Sequence, residues 1–227
     1  MFKKLFFFSS IILVVLIFGS CSRFKDITYL RGVGYGSDSL IKTTFNVYKV
    51  QSFDILYIRV TSIDEEASKI FNNESSSNNN ATQNLSLGTS LIGYTIDING
   101  FVDMPVLGKV YVTGLTLSEI ENFLKEKVGK YLADARVMVK LLSFKVTLLG
   151  EIGNGQKTIS AERANILEVF AMGGDISKYG NRHKILLLRT TPEGVITYRI
   201  DVTKDDLIAS PYFYIQPNDL IYVEPMK

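Results

Sequence analysis

The sequence predicts an α+β protein built from two small modules in tandem. Three observations support this: short runs that alternate apolar and polar residues, one strongly amphipathic helical segment, and a second short helical segment between further strand-like runs. The chain has 227 residues, which suits one or two domains with a real core. Its apolar fraction of 46% and charged fraction of 21% are ordinary for a folded protein.

The first module is predicted to begin with strands. FNVYKVQSFDILYIRV (45–60) predicts two short strands around a polar turn from Gln51 to Asp54. The stretch from Asn72 to Asn84 is rich in Asn and Ser and predicts a solvent-exposed loop. Within 91–114, Asn99-Gly100 predicts a hairpin, because both turn positions tolerate positive φ.

The clearest helix is predicted within GLTLSEIENFLKEKVGKYL (114–132). Thr116 and Glu119 form a capping box, T-x-x-E, which satisfies free N–H groups at a helix start. One apolar face is predicted from helical spacing, and its members are Ile120, Phe123, Leu124, Val128 and Tyr131. ARVMVKLL (135–142) then alternates as a strand and completes the first module.

The second module is predicted to hold several strands around one short helix. KVTLLGEI (145–152) is a strand, and Asn154-Gly155-Gln156 leads into another. A helix is predicted over 165–175, with Asn165 as N-cap and Gly173-Gly174 as the stop. Three further strands follow in KILLLRT, VITYRIDV and LIYVEP.

The two modules share one local pattern. SFDILYIRV near the start and PNDLIYV near the end each place an aspartate just before an apolar strand. Asp54 and Asp219 are predicted to stabilise these turns by accepting backbone N–H bonds, rather than to share a catalytic role.

The composition offers little for chemistry or for nucleic acid. Without Lys3 and Lys4, 23 basic residues face 23 acidic ones, so nucleic-acid binding through a basic excess is not expected. His183 is the only histidine, which excludes a histidine pair for zinc, and no cofactor motif is present.

Candidate catalytic groups have structural interpretations. His183 lies between Arg182 and Lys184 and is predicted to be exposed; a Ser/His/Asp triad built on it stays open, although no G-x-S-x-G elbow is present. Four acids are predicted to be structural rather than a glycosidase pair. They are Asp97, Asp103, Glu119 and Glu151. We therefore predict no catalytic residue, cofactor or metal ligand.

The N-terminus predicts export. Lys3 and Lys4 precede the apolar run Leu5 to Phe18, which is short for a membrane-spanning helix. An uncleaved anchor and a plain signal with a free thiol are alternatives. Phe18-Gly19-Ser20-Cys21 resembles a bacterial lipobox, although Phe is less usual than Leu at its first position. A lipid on Cys21 would explain the single cysteine of an exported chain.

The strand, turn and helix motifs together resemble a known family. YTIDINGFVDMPVLGKVYVTGLTLSEIENFLKEKV followed by DARVMVKL resembles the export domain of polysaccharide biosynthesis/export lipoproteins of the outer membrane. The matching motifs are Asp97 to Gly100, Pro105 to Gly108, Gly114 to Thr116 with Glu119, and Val137 to Leu141. FKVTLLGEI, NILEVFAMGGD and YIQPNDLIYVEP resemble the soluble-ligand-binding β-grasp (SLBB) domain that follows it.

The sequence departs from that family at three turns. Ser52-Phe53-Asp54 stands where Pro-Gly-Asp is common, Gly153-Asn154-Gly155 where Pro-Gly is common, and Asn218 where Gly is common. The resemblance covers about 45–227. The residues before it predict a signal peptide at 1–20 and a tether at 21–44, and the resemblance implies an export domain at 45–143 and a β-grasp domain at 144–227.

The resemblance also implies a function. Family members form periplasmic rings, typically octameric, beneath the outer membrane, and act as a non-catalytic translocon for capsular or extracellular polysaccharide. They work with an inner-membrane polysaccharide co-polymerase. The implied localisation is an outer-membrane lipoprotein anchored through Cys21, with its body in the periplasm.

Some questions stay open at this point. Known members add a C-terminal membrane-spanning helix, whereas this sequence stops at YVEPMK, so a partner is expected to supply the outer-membrane passage. One alternative function is a periplasmic glycan-binding module without transport. Another is an enzyme acting on periplasmic glycan.

Overall fold

The computed structural model describes residues 27–33, 40–43, 45–72 and 93–226 and confirms the α+β prediction. The predicted signal, Cys21 and nearly all of the asparagine-rich loop lie outside the described residues. Three α-helices are described: α1 Glu65–Lys69, α2 Leu117–Val128 and α3 Ile166–Gly173. The strands of the first module are β1 Ile55–Thr61, β2 Tyr94–Thr95, β3 Phe101–Met104, β4 Gly108–Tyr111 and β5 Arg136–Leu141. Those of the second are β6 Lys145–Gly150, β7 Gly155–Thr158, β8 Ala164–Asn165, β9 Gly180–Thr191, β10 Gly194–Ile200, β11 Tyr214–Ile215 and β12 Leu220–Pro225.

The first module packs helix α2 and a three-stranded antiparallel sheet around one apolar core. The sheet order is β2-β1-β5, and a separate hairpin joins β3 to β4. The predicted capping box forms: Thr116 Oγ1 accepts the Glu119 N–H at 3.2 Å, and Glu119 Oε2 accepts the Thr116 N–H at 2.7 Å. The Thr116 N–H and then the Thr116 hydroxyl, both donating to the Glu119 carboxylate, lower the pKa of Glu119.

The predicted apolar face of α2 is correct for three of its five members. Ile120, Leu124 and Val128 are fully buried. Phe123 is 36% exposed, and Tyr131 lies beyond the last helical residue with 62% of its surface exposed. A helix over a small sheet buries only a narrow stripe, so its flanking aromatic positions stay at the surface.

Two strand predictions for the first module were wrong. Residues 45–50 form no strand, because the Val50 N–H and C=O bond to Leu115 and Gly114 in the loop before α2. The Asn99-Gly100 turn forms, with Gly100 at φ +89°, but it joins no hairpin. The flanking strands pair elsewhere, β2 with β1 and β3 with β4, while the Asp97 carboxylate holds the turn by accepting the Asn99 and Phe101 N–H groups, each at 2.9 Å.

The second module is a five-stranded sheet that shares one core with α3. Its strand order is β10-β9-β12-β6-β7, in which two hairpins flank the central strand β12 and β12 runs parallel to β6. Helix α3 has the predicted cap, since Asn165 Oδ1 accepts the Leu167 and Glu168 N–H groups at 3.0 Å. It ends at Gly174 in the left-handed conformation, as predicted.

The segment 27–33, within the predicted tether, lies against the second module. The Leu30 and Arg31 N–H groups donate to the carbonyls of Val202 and Thr203. Tyr29 packs against the second core, and its hydroxyl donates to Asp175. Burial, and then that hydrogen bond, raise the pKa of Tyr29 to about 12. This part of the predicted tether is therefore packed on the protein body.

A cavity at the junction of the two modules

The two modules meet around a buried aspartate of the first module. Asp54 accepts the Gln51 N–H at 2.9 Å, which confirms the predicted turn role. It also accepts the hydroxyls of Tyr48 at 2.6 Å and Ser143 at 3.1 Å. Burial and the Asp54 carboxylate raise the pKa of Tyr48 far above its usual range, so this phenol remains a hydrogen-bond donor.

The matching aspartate of the second module is also buried at a turn. Asp219 accepts the Gln216 N–H at 2.8 Å, again as predicted. Its carboxylate receives two bonds from the Arg189 guanidinium, at 2.9 and 2.7 Å. The Arg189 side chain is 8% exposed and that of Asp219 is 0% exposed, so the pair is removed from water. The sequence predicted the turn but not the arginine, which lies 30 residues away.

The residue before each aspartate has the same unusual backbone conformation. Phe53 has φ +72° and Asn218 has φ +65°, the region that glycine adopts most readily. Two of the three turns at which the sequence departs from the family pattern therefore have a glycine-like backbone without glycine. Phe53 is 68% exposed, so burial of its ring does not offset the strain of this conformation.

A cavity of about 830 Å³ lies beside this junction. Its wall on the first module comes from residues 45–48, the start of α2 and the end of β5, and its wall on the second from two loops. The lining residues are 45–48, 116–118, 140–141, 144, 160–163, 211 and 214–217. Sequence reasoning missed this site.

One corner of the cavity combines two aromatic rings and a cation. The rings of Phe45 and Tyr214 meet edge to face with centroids 5.5 Å apart. The Arg163 guanidinium carbon lies 5.9 Å from the Phe45 centroid and 5.6 Å from that of Tyr214. Both distances are within the range of cation–π attraction, which orients the guanidinium.

The charged side chains of the cavity are not neutralised by one another. Lys140, Glu162 and Arg163 line it and are exposed. Among the ion pairs formed by described residues, none includes any of the three. The lining therefore carries two cations and one anion, a small positive excess.

His183 is exposed, as predicted, but its position in the fold differs from the one expected. It lies within β9 rather than before a strand, and its neighbour Arg182 is buried, donating to the Ile176 and Ser177 carbonyls. His183 Nδ1 is 3.1 Å from Asp201 Oδ2, and Nε2 faces the Arg31 guanidinium at 3.4 Å. Burial alone would raise the pKa of Asp201, but hydrogen bonds from Thr203 and His183 outweigh it and lower that pKa. A triad would need a serine hydroxyl at Nε2, the position that Arg31 takes.

Three of the four acids considered as catalysts form hydrogen bonds within the local structure, and the fourth lies on a strand. Asp97 holds a turn, and Glu119 caps α2. Glu151 accepts the Ser177 hydroxyl, and Asp103 lies on β3 opposite Lys109.

Where the chain is described, no three His, Cys, Asp or Glu side chains are grouped as candidate metal ligands. None of the described helices is both long enough and apolar enough to cross a membrane.

The first module matches a known family. Residues 43–142 match the family model described as polysaccharide biosynthesis/export protein. The matched stretch contains every buried residue of the first core, which runs from Val50 to Val139. It ends beside Ser143, at the junction with the second module.

Proposed function

The chain carries a polysaccharide biosynthesis/export domain at residues 43–142, and on that premise we propose that it is a ring component of a polysaccharide export translocon. The matched family is an export family and not a family of enzymes. The proposed cargo is capsular or extracellular polysaccharide, passed on from an inner-membrane polysaccharide co-polymerase. In this proposal the export domain occupies 45–143 and an SLBB-type β-grasp domain occupies 144–227.

The surface of the second module supports the ring. Strand β10 forms one edge of the five-stranded sheet, and its Val195 is 61% exposed. An exposed edge strand with apolar side chains is suited to pairing with another chain. A ring requires two different faces on each protomer that close by rotation, and this edge would supply one of them.

Polymer location in a deletion strain tests the export role. Without this protein, we expect polysaccharide to disappear from the cell surface and to accumulate in the periplasm, because synthesis continues while passage stops. Immunodetection of polymer in surface and periplasmic fractions measures this, with a complemented strain as control. Normal surface polymer would contradict the proposal, and polymer of altered length without trapping would favour the enzyme alternative.

The cavity gives some support to a second candidate, a periplasmic glycan-binding module without transport. Oligomeric state separates the two, because export requires a ring. Analytical ultracentrifugation of the full chain in detergent should show a closed oligomer. A strict monomer that binds oligosaccharide would support the alternative.

We further propose that Cys21 carries the lipid that holds the protein at the outer membrane. Several acyl chains together hold a protein firmly, whereas a single chain gives only marginal binding. Cys21→Ser should therefore release the protein from the outer membrane or leave it unprocessed. Membrane fractionation with N-terminal mass spectrometry measures both, and Ser22→Ala is the matched control. A processed Cys21→Ser protein still firmly in the outer membrane would argue against the anchor.

A further inference from the structure

The cavity has the size and lining of a small-ligand site. Ligand pockets usually measure about 300–1,000 Å³ and combine apolar surface with a few polar groups. This cavity, at about 830 Å³, lies within that range. Phe45 and Tyr214 supply apolar surface, while Ser118 and Gln216 supply hydrogen-bonding groups. A sugar ring also combines apolar C–H faces with hydroxyl groups and so matches such a lining.

Arg163 adds a requirement for negative charge. A guanidinium presents N–H donors in a planar fork that matches the two oxygens of a carboxylate or phosphate. Here the fork is oriented by two aromatic rings and has no acidic partner among the described residues. Lys140 lies on the same cavity and adds a second positive charge.

We propose that this cavity binds an anionic sugar unit, with Arg163 receiving its carboxylate or phosphate and Phe45 and Tyr214 packing against its ring. The proposal rests on the export function, because that function brings a polysaccharide to the protein. Phe45 precedes the first core, whereas Arg163 and Tyr214 belong to the second module, so a bound sugar would contact both modules.

Binding of defined oligosaccharides to the full chain in detergent tests the proposal. The probes are tetragalacturonate, maltotetraose with a terminal phosphate, and neutral maltotetraose, each followed by isothermal titration calorimetry. At least one anionic probe should bind roughly 10- to 100-fold more tightly than maltotetraose, as expected for hydrogen bonds to a charged group. The two anionic probes distinguish carboxylate from phosphate. Equal affinity for all three, or no binding, would overturn the proposal.

Two variants assign the preference to the cavity. Arg163→Gln should abolish it, while Arg136→Gln, which removes an exposed cation from β5 outside the cavity, should leave it unchanged. If circular dichroism shows Arg163→Gln to be unfolded, Phe45→Ala replaces it and should weaken binding of the anionic probe about tenfold or more. An unchanged preference in folded Arg163→Gln would overturn the proposal, as would unchanged affinity for the anionic probe in Phe45→Ala where that variant replaces it. Polymer trapping in the deletion strain would still support export in that case, so the two proposals fail separately.

Discussion

Asp219→Ala is expected to lower the free energy of unfolding by about 3–5 kcal/mol, because it leaves the Arg189 guanidinium buried without its carboxylate. The lost partner accepted two bonds from Arg189 and one from the Gln216 N–H. Neither the turn nor β9 has another acidic group there to neutralise the arginine. Urea unfolding followed by circular dichroism measures the change.

Two further variants identify the cause of that loss. Asp219→Asn retains an oxygen for the Gln216 N–H but removes the charge, so most of the destabilisation should remain. Arg199→Ala breaks an exposed pair with Glu224, in which the Arg199 side chain is 62% exposed, and should cost about 0–1 kcal/mol. A loss below about 1 kcal/mol for Asp219→Ala would show that the buried pair is not needed.

Gly150→Ala is expected to cost roughly 2–5 kcal/mol, because it combines backbone strain with a steric clash. Gly150 has φ +85°, and an added Cβ would lie 2.2 Å from the carbonyl oxygen of Val223. That carbonyl belongs to β12, whose Val223 is opposite Gly150 in the parallel pair with β6. Because the Val223 carbonyl and the Gly150 backbone that would carry the Cβ are both held in the sheet, neither can move away easily.

Gly114→Ala is the matched control for this change. Gly114 has a similar φ of +82°, but nothing lies within 4 Å of the added Cβ. It should cost only the conformational part, about 1–2 kcal/mol. Thermal unfolding of both variants measures the difference. Equal losses would show that the contact with Val223 relaxes without cost.

Local signals made parts of the fold predictable. The caps at Thr116 and Asn165 depend on residues three positions apart, so the sequence alone places both helix starts. The turn roles of Asp54 and Asp219 are local for the same reason. Alternation likewise identified β5, and β6 and β12 lie within predicted strands.

Strand pairing and contacts between distant segments of the chain were not predictable in the same way. Asn99-Gly100 has the composition of a hairpin, but β1 takes β2 as its partner, and that competition is invisible in a short window. Phe45, Arg163 and Tyr214 come together from segments far apart in the chain, so no motif identifies the cavity. Arg189 is buried against Asp219, a partner 30 residues away in the sequence. Arg182 is buried by the packing of the sheet, which a short window of sequence does not show.

The central place of β12 affects how the second module acquires its structure. The last of its strands in chain order lies in the middle of the sheet and joins the hairpin β6–β7 to the hairpin β9–β10. Without it, two separate two-stranded ribbons would remain, and such ribbons are marginally stable in water. The first module needs no strand beyond Leu141, so its sheet is complete while the second still lacks its centre. During synthesis from the N-terminus, the second module must therefore wait for Leu220–Pro225 before it can fold as a unit.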